Sequence, residues 1–79
     1  MQSEVQKYVE RKLSGLIGTG DAGFVSAIRR DMKQKFGLIC SVIYVGWSPD
    51  HNSDVTCIKI TVDDSNYAAY KNLITGEMS

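Results

Sequence analysis

Two apolar, β-branched segments on either side of a polar turn constrain the fold of this chain more than any other feature. The first is LICSVIYVGWS at residues 38–48, and the second is VTCIKITVD at residues 55–63. Both have the composition of β-strands, and the PDHNSD between them is rich in turn-forming residues. This arrangement predicts an antiparallel β-hairpin.

The chain before the hairpin has the period of two amphipathic helices. Ser3 and Gln6 have the spacing of a capping box, so we expect the first helix to begin there. Its apolar face comprises Val5, Tyr8, Val9, Leu13, Leu16 and Ile17. Asp21 can cap the second helix, and Gly37 is a natural terminator for it. The apolar arc of the second helix comprises Phe24, Val25, Ile28, Met32 and Phe36.

A third helix is predicted after the hairpin. The DDSN segment at residues 63–66 supplies helix caps, and Tyr67, Tyr70 and Ile74 follow at helical spacing. The predicted order is therefore α-α-β-β-α, in a small two-layer α+β domain whose antiparallel hairpin packs on the helices. A chain of 79 residues is expected to form a single domain, residues 1–79.

A hairpin that closes symmetrically over residues 49–54 places Gly46 opposite Cys57 and sorts the side chains onto two faces. The face expected to pack on the helices is nearly all apolar and comprises Ile39, Ile43, Val45, Trp47, Ile58, Ile60 and Val62. The opposite face is mixed and comprises Leu38, Cys40, Val42, Tyr44, Val55, Cys57, Lys59 and Thr61. Because the mixed face is too apolar for a solvent face, we expect the third helix or another chain to cover it.

The cysteines and the distribution of apolar residues indicate the compartment of the protein. Cys40 and Cys57 are the only cysteines, too few for a disulfide framework. The hairpin register separates them by roughly 20 Å along the ladder, so we expect two free thiols. No apolar run approaches the roughly 20 residues that cross a bilayer, and the N-terminal segment has no apolar signal core. We therefore expect a soluble, cytoplasmic protein.

The motifs that resemble catalytic or metal sites are each incomplete. The DHNSD turn begins like a calcium loop, but Val55 and Thr61 replace the required glycine and bidentate glutamate. His51 is the only histidine, which excludes a metal site built on a histidine pair. GTGDAG lacks the lysine of a phosphate-binding loop and follows a helix rather than a strand. We therefore expect no enzymatic activity, no metal and no cofactor.

The second helix carries most of the local positive charge. Arg29, Arg30 and Lys33 form one flank of its apolar arc, which we call the basic flank. Lys35 stands four residues after Asp31 and can pair with it. The chain has a formal net charge of zero, which argues against strong non-specific nucleic-acid binding. The basic flank is therefore interpreted first as a solvated helix face, and second as a contact for an acidic protein or a nucleic acid.

Residues 25–63 carry a partial family resemblance. IRRDMKQKFG, then SVIYVGWS, then VTCIKITVDD resembles one of the large polyvalent protein-associated domains of phages and plasmids, in which a basic helix precedes a β-hairpin. The W-T-D-G-P ending of that group is missing, and TVDD stands in its place. The resemblance implies a mobile-element protein that acts by binding, such as an inhibitor of a host defence complex, and it assigns no active site.

The open sheet and the basic flank lead to two functional hypotheses. A two-stranded hairpin leaves both edges unpaired, so pairing with a second copy or a partner strand would stabilise it. We therefore expect a non-enzymatic protein-binding module that forms a homodimer through strand or sheet-face pairing. The alternative is a small nucleic-acid-binding domain that uses the basic flank. The candidate partner-binding residues are Arg29, Arg30, Lys33, Val42, Tyr44 and Lys59.

Overall fold

Two helices pack on one face of a three-stranded antiparallel sheet. The computed structural model describes residues 2–50 and 53–78, with only the backbone for residues 2 and 3. The elements are α1 (Gln2–Ser14), α2 (Ala22–Phe36), β1 (Val42–Trp47), β2 (Val55–Val62) and β3 (Ser65–Asn72). The strand order is β1-β2-β3, so β2 is central and the other two strands form the edges. The predicted two-layer α+β architecture, with the hairpin on the helices, is confirmed.

The predicted third helix is wrong, because β3 takes its place and the element order is α-α-β-β-β. Asp63 and Asp64 do not cap a helix; they form the tight turn between β2 and β3, in which Val62 pairs with Ser65. Asp63 adopts the left-handed conformation (φ 54°) that such turns require and that Asp tolerates better than most residues. Tyr67 and Tyr70, at helical spacing in the sequence, lie on opposite faces of the new strand.

The register predicted for the hairpin is confirmed, with Gly46 opposite Cys57 and Ile43 opposite Ile60. The first strand is shorter than predicted, since pairing begins only at Val42. The two-faced sorting therefore fails before that residue. Ile39, assigned to the packed face, is 73% exposed, whereas Cys40, assigned to the mixed face, is buried in the core.

The core lies between α1, α2 and the inner face of the sheet. Its buried residues are Val5, Tyr8, Val9, Leu13, Leu16, Ile28, Met32, Cys40, Ile58, Ile60, Val62 and Ala69. Ile17, expected on the apolar face of α1, is 95% exposed because the helix ends at Ser14 and its period stops there. Trp47 is also about half exposed, since it stands at the end of an edge strand.

The termini predicted for α2 are confirmed, whereas the N-terminus predicted for α1 is wrong. Asp21 caps α2 by accepting a hydrogen bond from the backbone N–H of Phe24, and Gly37 ends α2 in the left-handed conformation (φ 68°), as predicted. Ser3 is not the N-cap of α1, because the helix already begins at Gln2. Gln6 donates its side-chain N–H groups to Glu10 and to the carbonyl oxygen of Ala68 rather than joining a capping box.

A polar cluster joins the two helices. The Tyr8 hydroxyl donates a 2.8 Å hydrogen bond to Asp31, and the Lys12 ammonium lies 3.6 Å from the same carboxylate. The predicted pairing of Asp31 with Lys35 is wrong, since the Lys35 ammonium instead lies over the Tyr8 ring. Lys12 can pair with Asp31 because its aliphatic chain lies beside the apolar face of α1 while its ammonium group reaches α2.

Candidate interaction surface

The outer face of the sheet is left uncovered by the helices, and we call it the open face. It comprises Val42, Tyr44, Gly46, Val55, Cys57, Lys59, Thr61, Asn66, Ala68, Tyr70 and Asn72. The third helix that could have covered this face is absent from the described chain. Val42 is 54% exposed and Tyr44 is 44% exposed, so apolar surface remains in contact with water.

Tyr44 organises the β1 side of the open face. Its hydroxyl donates a 2.7 Å hydrogen bond to the carbonyl oxygen of Trp47, three residues along the same strand. A Cβ atom at Gly46 would lie only 2.9 Å from the Tyr44 hydroxyl oxygen, so a side chain at this position would displace the end of the ring. Cys57, the cross-strand neighbour of Gly46, is fully buried although it belongs to the open face. The Tyr44 ring therefore lies along the sheet over Gly46, with its hydroxyl bonded to the backbone of its own strand.

The free edge of β1 has backbone groups that point away from the sheet. The N–H of Ser48 donates to the carbonyl of Val55, so even-numbered β1 residues face β2 and odd-numbered ones face outward. No hydrogen bond among the described residues reaches the N–H or C=O of Ile43 or Val45. The strand VIYVGW also has no charged residue and no proline, the usual protection of an exposed edge.

The edge of β3 is partly covered by other segments of the chain. The N–H of Leu73 donates to the carbonyl of Asp54, so the even-numbered β3 residues face outward. The Gln6 side-chain N–H donates a hydrogen bond to the carbonyl of Ala68, which points away from the sheet. The residues after β3 turn back, so the N–H of Asn72 donates to the carbonyl of Glu77 and Met78 forms a bridge to Lys71.

The structure divides the predicted partner-binding residues between two layers. Val42, Tyr44 and Lys59 share the open face, where Tyr44 and Lys59 are direct cross-strand neighbours and the Lys59 ammonium lies over the Tyr70 ring. Arg29, Arg30 and Lys33 lie in the helix layer and are exposed. The Arg29 guanidinium donates a 2.6 Å hydrogen bond to the carbonyl of Cys40, so it holds the segment that leads into β1.

The basic flank is therefore smaller than the sequence indicated. The Arg29 guanidinium is bonded to a backbone carbonyl of its own chain. The side chains of Arg30 and Lys33 make no such contact among the described residues. Two cations on a chain of zero net charge form a weak electrostatic footprint for a polyanion.

The ionisable groups with altered proton affinity have structural causes. Burial and the hydrogen bond to Asp31 raise the pKa of Tyr8, and the same hydrogen bond lowers the pKa of Asp31. Burial raises the pKa of the Cys40 and Cys57 thiols, which keeps them protonated and unreactive as free cysteines. None of these groups is arranged as a nucleophile with an adjacent base.

A surface groove of about 480 Å³ follows the outside of α1 and is lined by Lys7, Glu10, Arg11, Ser14 and Met78. Its charges are mixed, and its walls are exposed side chains. Among residues 2–50 and 53–78 no three potential metal ligands converge. His51 and Asn52 of the turn examined as a calcium loop lie outside the described residues. None of the helices in the described chain is long and apolar enough to span a bilayer.

Sequence reasoning missed the contribution of β3 to the open face. Tyr70 and Ala68 were assigned to a helix, yet they flank Cys57 and Lys59 of the central strand. The signal was present in SNYAAYKN, where Tyr67, Ala69 and Lys71 alternate with the open-face residues. No protein-family model matches the chain, and no curated protein or solved structure has significant similarity to it. The resemblance to a polyvalent protein-associated domain therefore stays a prediction.

Proposed function

We propose that this chain is a small non-enzymatic protein-binding module that self-associates through β1 and the adjoining part of the open face. The observation that carries the proposal is the state of the β1 edge. Its outward N–H and C=O groups at Ile43 and Val45 have no partner among the described residues, and the strand carries no charge. An edge of this kind is a template for another strand.

A second copy of the chain suits this edge better than a charged partner. β1 has no side-chain charge to select a complementary surface, and its donors and acceptors alternate in a pattern that an antiparallel copy matches. Pairing would also remove Val42 and Tyr44 from water, which is favourable at roughly 25 cal/mol per Å² of apolar area. Contact with a foreign strand through the same edge is the competing outcome.

The alternative, a nucleic-acid-binding domain that uses Arg29, Arg30 and Lys33, has less support because Arg29 is bonded to Cys40. Inhibition of a host defence complex follows only from the partial family resemblance, and it remains a prediction about the eventual partner. Neither idea is needed to account for the β1 edge.

The test compares two carboxylate substitutions on either side of Lys59. Tyr44→Glu places a carboxylate on the free β1 edge, and Ala68→Glu places one at the matching position on β3, since both residues pair with Lys59. Sedimentation over a wide concentration range should show a dimer for the wild type and Ala68→Glu. Tyr44→Glu should weaken association roughly 100-fold, about 2.8 kcal/mol, because the change occurs twice in a symmetric interface.

One control and two contrary outcomes complete the experiment. Circular dichroism should show that both variants stay folded, as each new carboxylate has Lys59 as its neighbour. A wild-type chain that stays monomeric at every concentration would overturn the proposal. Equal weakening by both substitutions would place the interface elsewhere than β1.

A further inference from the structure

We propose that the two-fold axis of the self-associated form passes between the two Tyr44 residues, so that Ile43 of each copy faces Val45 of the other. This inference rests on the proposed self-association and specifies its register. Antiparallel pairing of β1 with its own copy permits a small number of registers, and the backbone groups left unbonded in the single chain distinguish between them.

Symmetry and the sheet faces limit the registers first. A two-fold axis perpendicular to the sheet keeps the helices of both copies on one side, so residues that face each other must share a face. The two registers that centre the pairing on the six-residue strand β1 place the axis between two Tyr44 residues or between two Val45 residues. In the first register Ile43 opposes Val45, and in the second Ile43 opposes Trp47.

The hydrogen bond from Tyr44 to Trp47 favours the first register. Pairing Ile43 with Val45 uses the N–H and C=O of both residues, and the two-fold axis doubles this to four hydrogen bonds. All of these groups have no partner among the described residues of a single chain. In the second register Val45 would pair with Val45 of the other copy and Ile43 with Trp47. The Ile43–Trp47 pair would require the Trp47 carbonyl, which already accepts the Tyr44 hydroxyl at 2.7 Å, so this register alone adds bonds to an oxygen that is already engaged.

The side chains on the open face agree with the same register. It brings Val42 opposite Gly46 of the other copy, and in each chain the Tyr44 ring lies over Gly46. Val42, 54% exposed in the single chain, would therefore pack against the Tyr44 ring of the second copy. In the other register Val42 would face Ser48, which is itself buried in the single chain.

Cysteine cross-linking tests the register. Tyr44→Cys should form a disulfide with itself under mild oxidation, because directly opposed residues of a non-hydrogen-bonded pair have Cα atoms about 4.5 Å apart, within disulfide reach. Val45→Cys should not, since its two copies would be offset by two residues. The wild type is the background control, because Cys40 and Cys57 are both buried.

A second measurement keeps Tyr44 in place. An equimolar mixture of Ile43→Cys and Val45→Cys chains, distinguished by mass, should give a mixed disulfide dimer. Self-cross-linking of Val45→Cys would move the axis to Val45 and overturn the inference. If light scattering shows a dimer but no combination cross-links, the register and the use of β1 are both wrong. If it shows a monomer, the proposed self-association itself fails.

Discussion

The two edges of the sheet differ in how far they are covered, although both edge strands have similar length and pair with the same central strand. The β3 edge is partly covered from within the chain, because Gln6 donates to the Ala68 carbonyl and the residues that follow β3 turn back and bond the Asn72 N–H. The β1 edge has no comparable cover at Ile43 and Val45. Under the proposed self-association, a chain that partly covers one edge and leaves the other free would pair once and form a closed dimer rather than a fibre.

The helices reinforce this difference. α1 is tied to β3 by Gln6 and by Lys71, whose ammonium donates to the carbonyls of Ser14 and Leu16 at 2.9 Å each. α2 is tied to the segment before β1 by the Arg29 side chain, and that contact is to Cys40, outside the strand. The β3 side is therefore built into the fold, whereas β1 is attached mainly through its ladder with β2.

The largest expected effect comes from breaking the tie between α1 and β3. Lys71→Met should lower the free energy of unfolding by about 2–3 kcal/mol, because it removes two charge-assisted hydrogen bonds to the carbonyls at the end of α1. Urea unfolding followed by circular dichroism measures this loss.

Lys33→Met is the matched control for that experiment. It deletes the same charge from an exposed position on α2 and should change stability by less than about 0.5 kcal/mol. Similar losses from both substitutions would show that net charge, rather than the Lys71 contacts, sets the stability. The Lys71 contacts would then no longer be evidence that β3 is tied more firmly to the helices than β1 is.

Features of the two edges that depend on local interactions could be predicted from the sequence, whereas features that depend on contacts between distant residues could not. The β1–β2 register was predictable because the turn and the alternation of Ile43, Val45, Ile58 and Ile60 are local signals. The residues of β1 and β2 alone predicted that this sheet face would be too apolar for a face in contact with water. The nature of the cover on the β3 edge could not be predicted, since it depends on contacts such as Gln6 with Ala68, 62 residues apart.

The error over β3 has a physical explanation. Tyr67, Tyr70 and Ile74 fit a helical period, and alanine favours helices, so the isolated segment has no strong strand preference. The sheet decides the outcome, because Ala69 must be small and fully buried beside Ile58 in the centre of the core. Tertiary packing therefore overrides local propensity at this strand.

The next effect concerns the cluster that holds α1, and with it the cover of β3, against α2. Tyr8→Phe should cost about 1.5–2 kcal/mol near neutral pH, because it removes a hydrogen bond to the Asp31 carboxylate. Asp31 has a lowered pKa in the folded chain, so its contribution is present above the ordinary range near pH 4 and is lost as pH falls below it. Chemical unfolding at a series of pH values measures this dependence.

The alkaline side has the opposite sign. Tyr8 has a raised pKa in the fold, so its contribution is present below about pH 10 and declines as pH rises further. The difference in stability between wild type and Tyr8→Phe should therefore be largest between about pH 4 and pH 10 and shrink on both sides. Tyr67→Phe, which alters another tyrosine packed against the core, should give a small difference without this profile. A pH-independent effect of Tyr8→Phe would show that packing, and not the Asp31 bond, is what the hydroxyl provides.

The smallest expected change in stability tests whether the β3 cover limits assembly. Gln6→Ala in a chain ended after Gly76 removes the donor to Ala68 and the carbonyl that accepts from Asn72. The loss in stability should be about 0.5 kcal/mol for each of these two hydrogen bonds, about 1 kcal/mol in all, yet the chain would then have two open edges and should form species larger than a dimer in light scattering. Met78→Ala in the full chain should remain dimeric, since the bridge at Lys71 is made by backbone groups. Adding Tyr44→Glu to the opened chain should return it to a dimer that now pairs through β3, and continued growth of that variant would show that the two edges are not the surfaces that join.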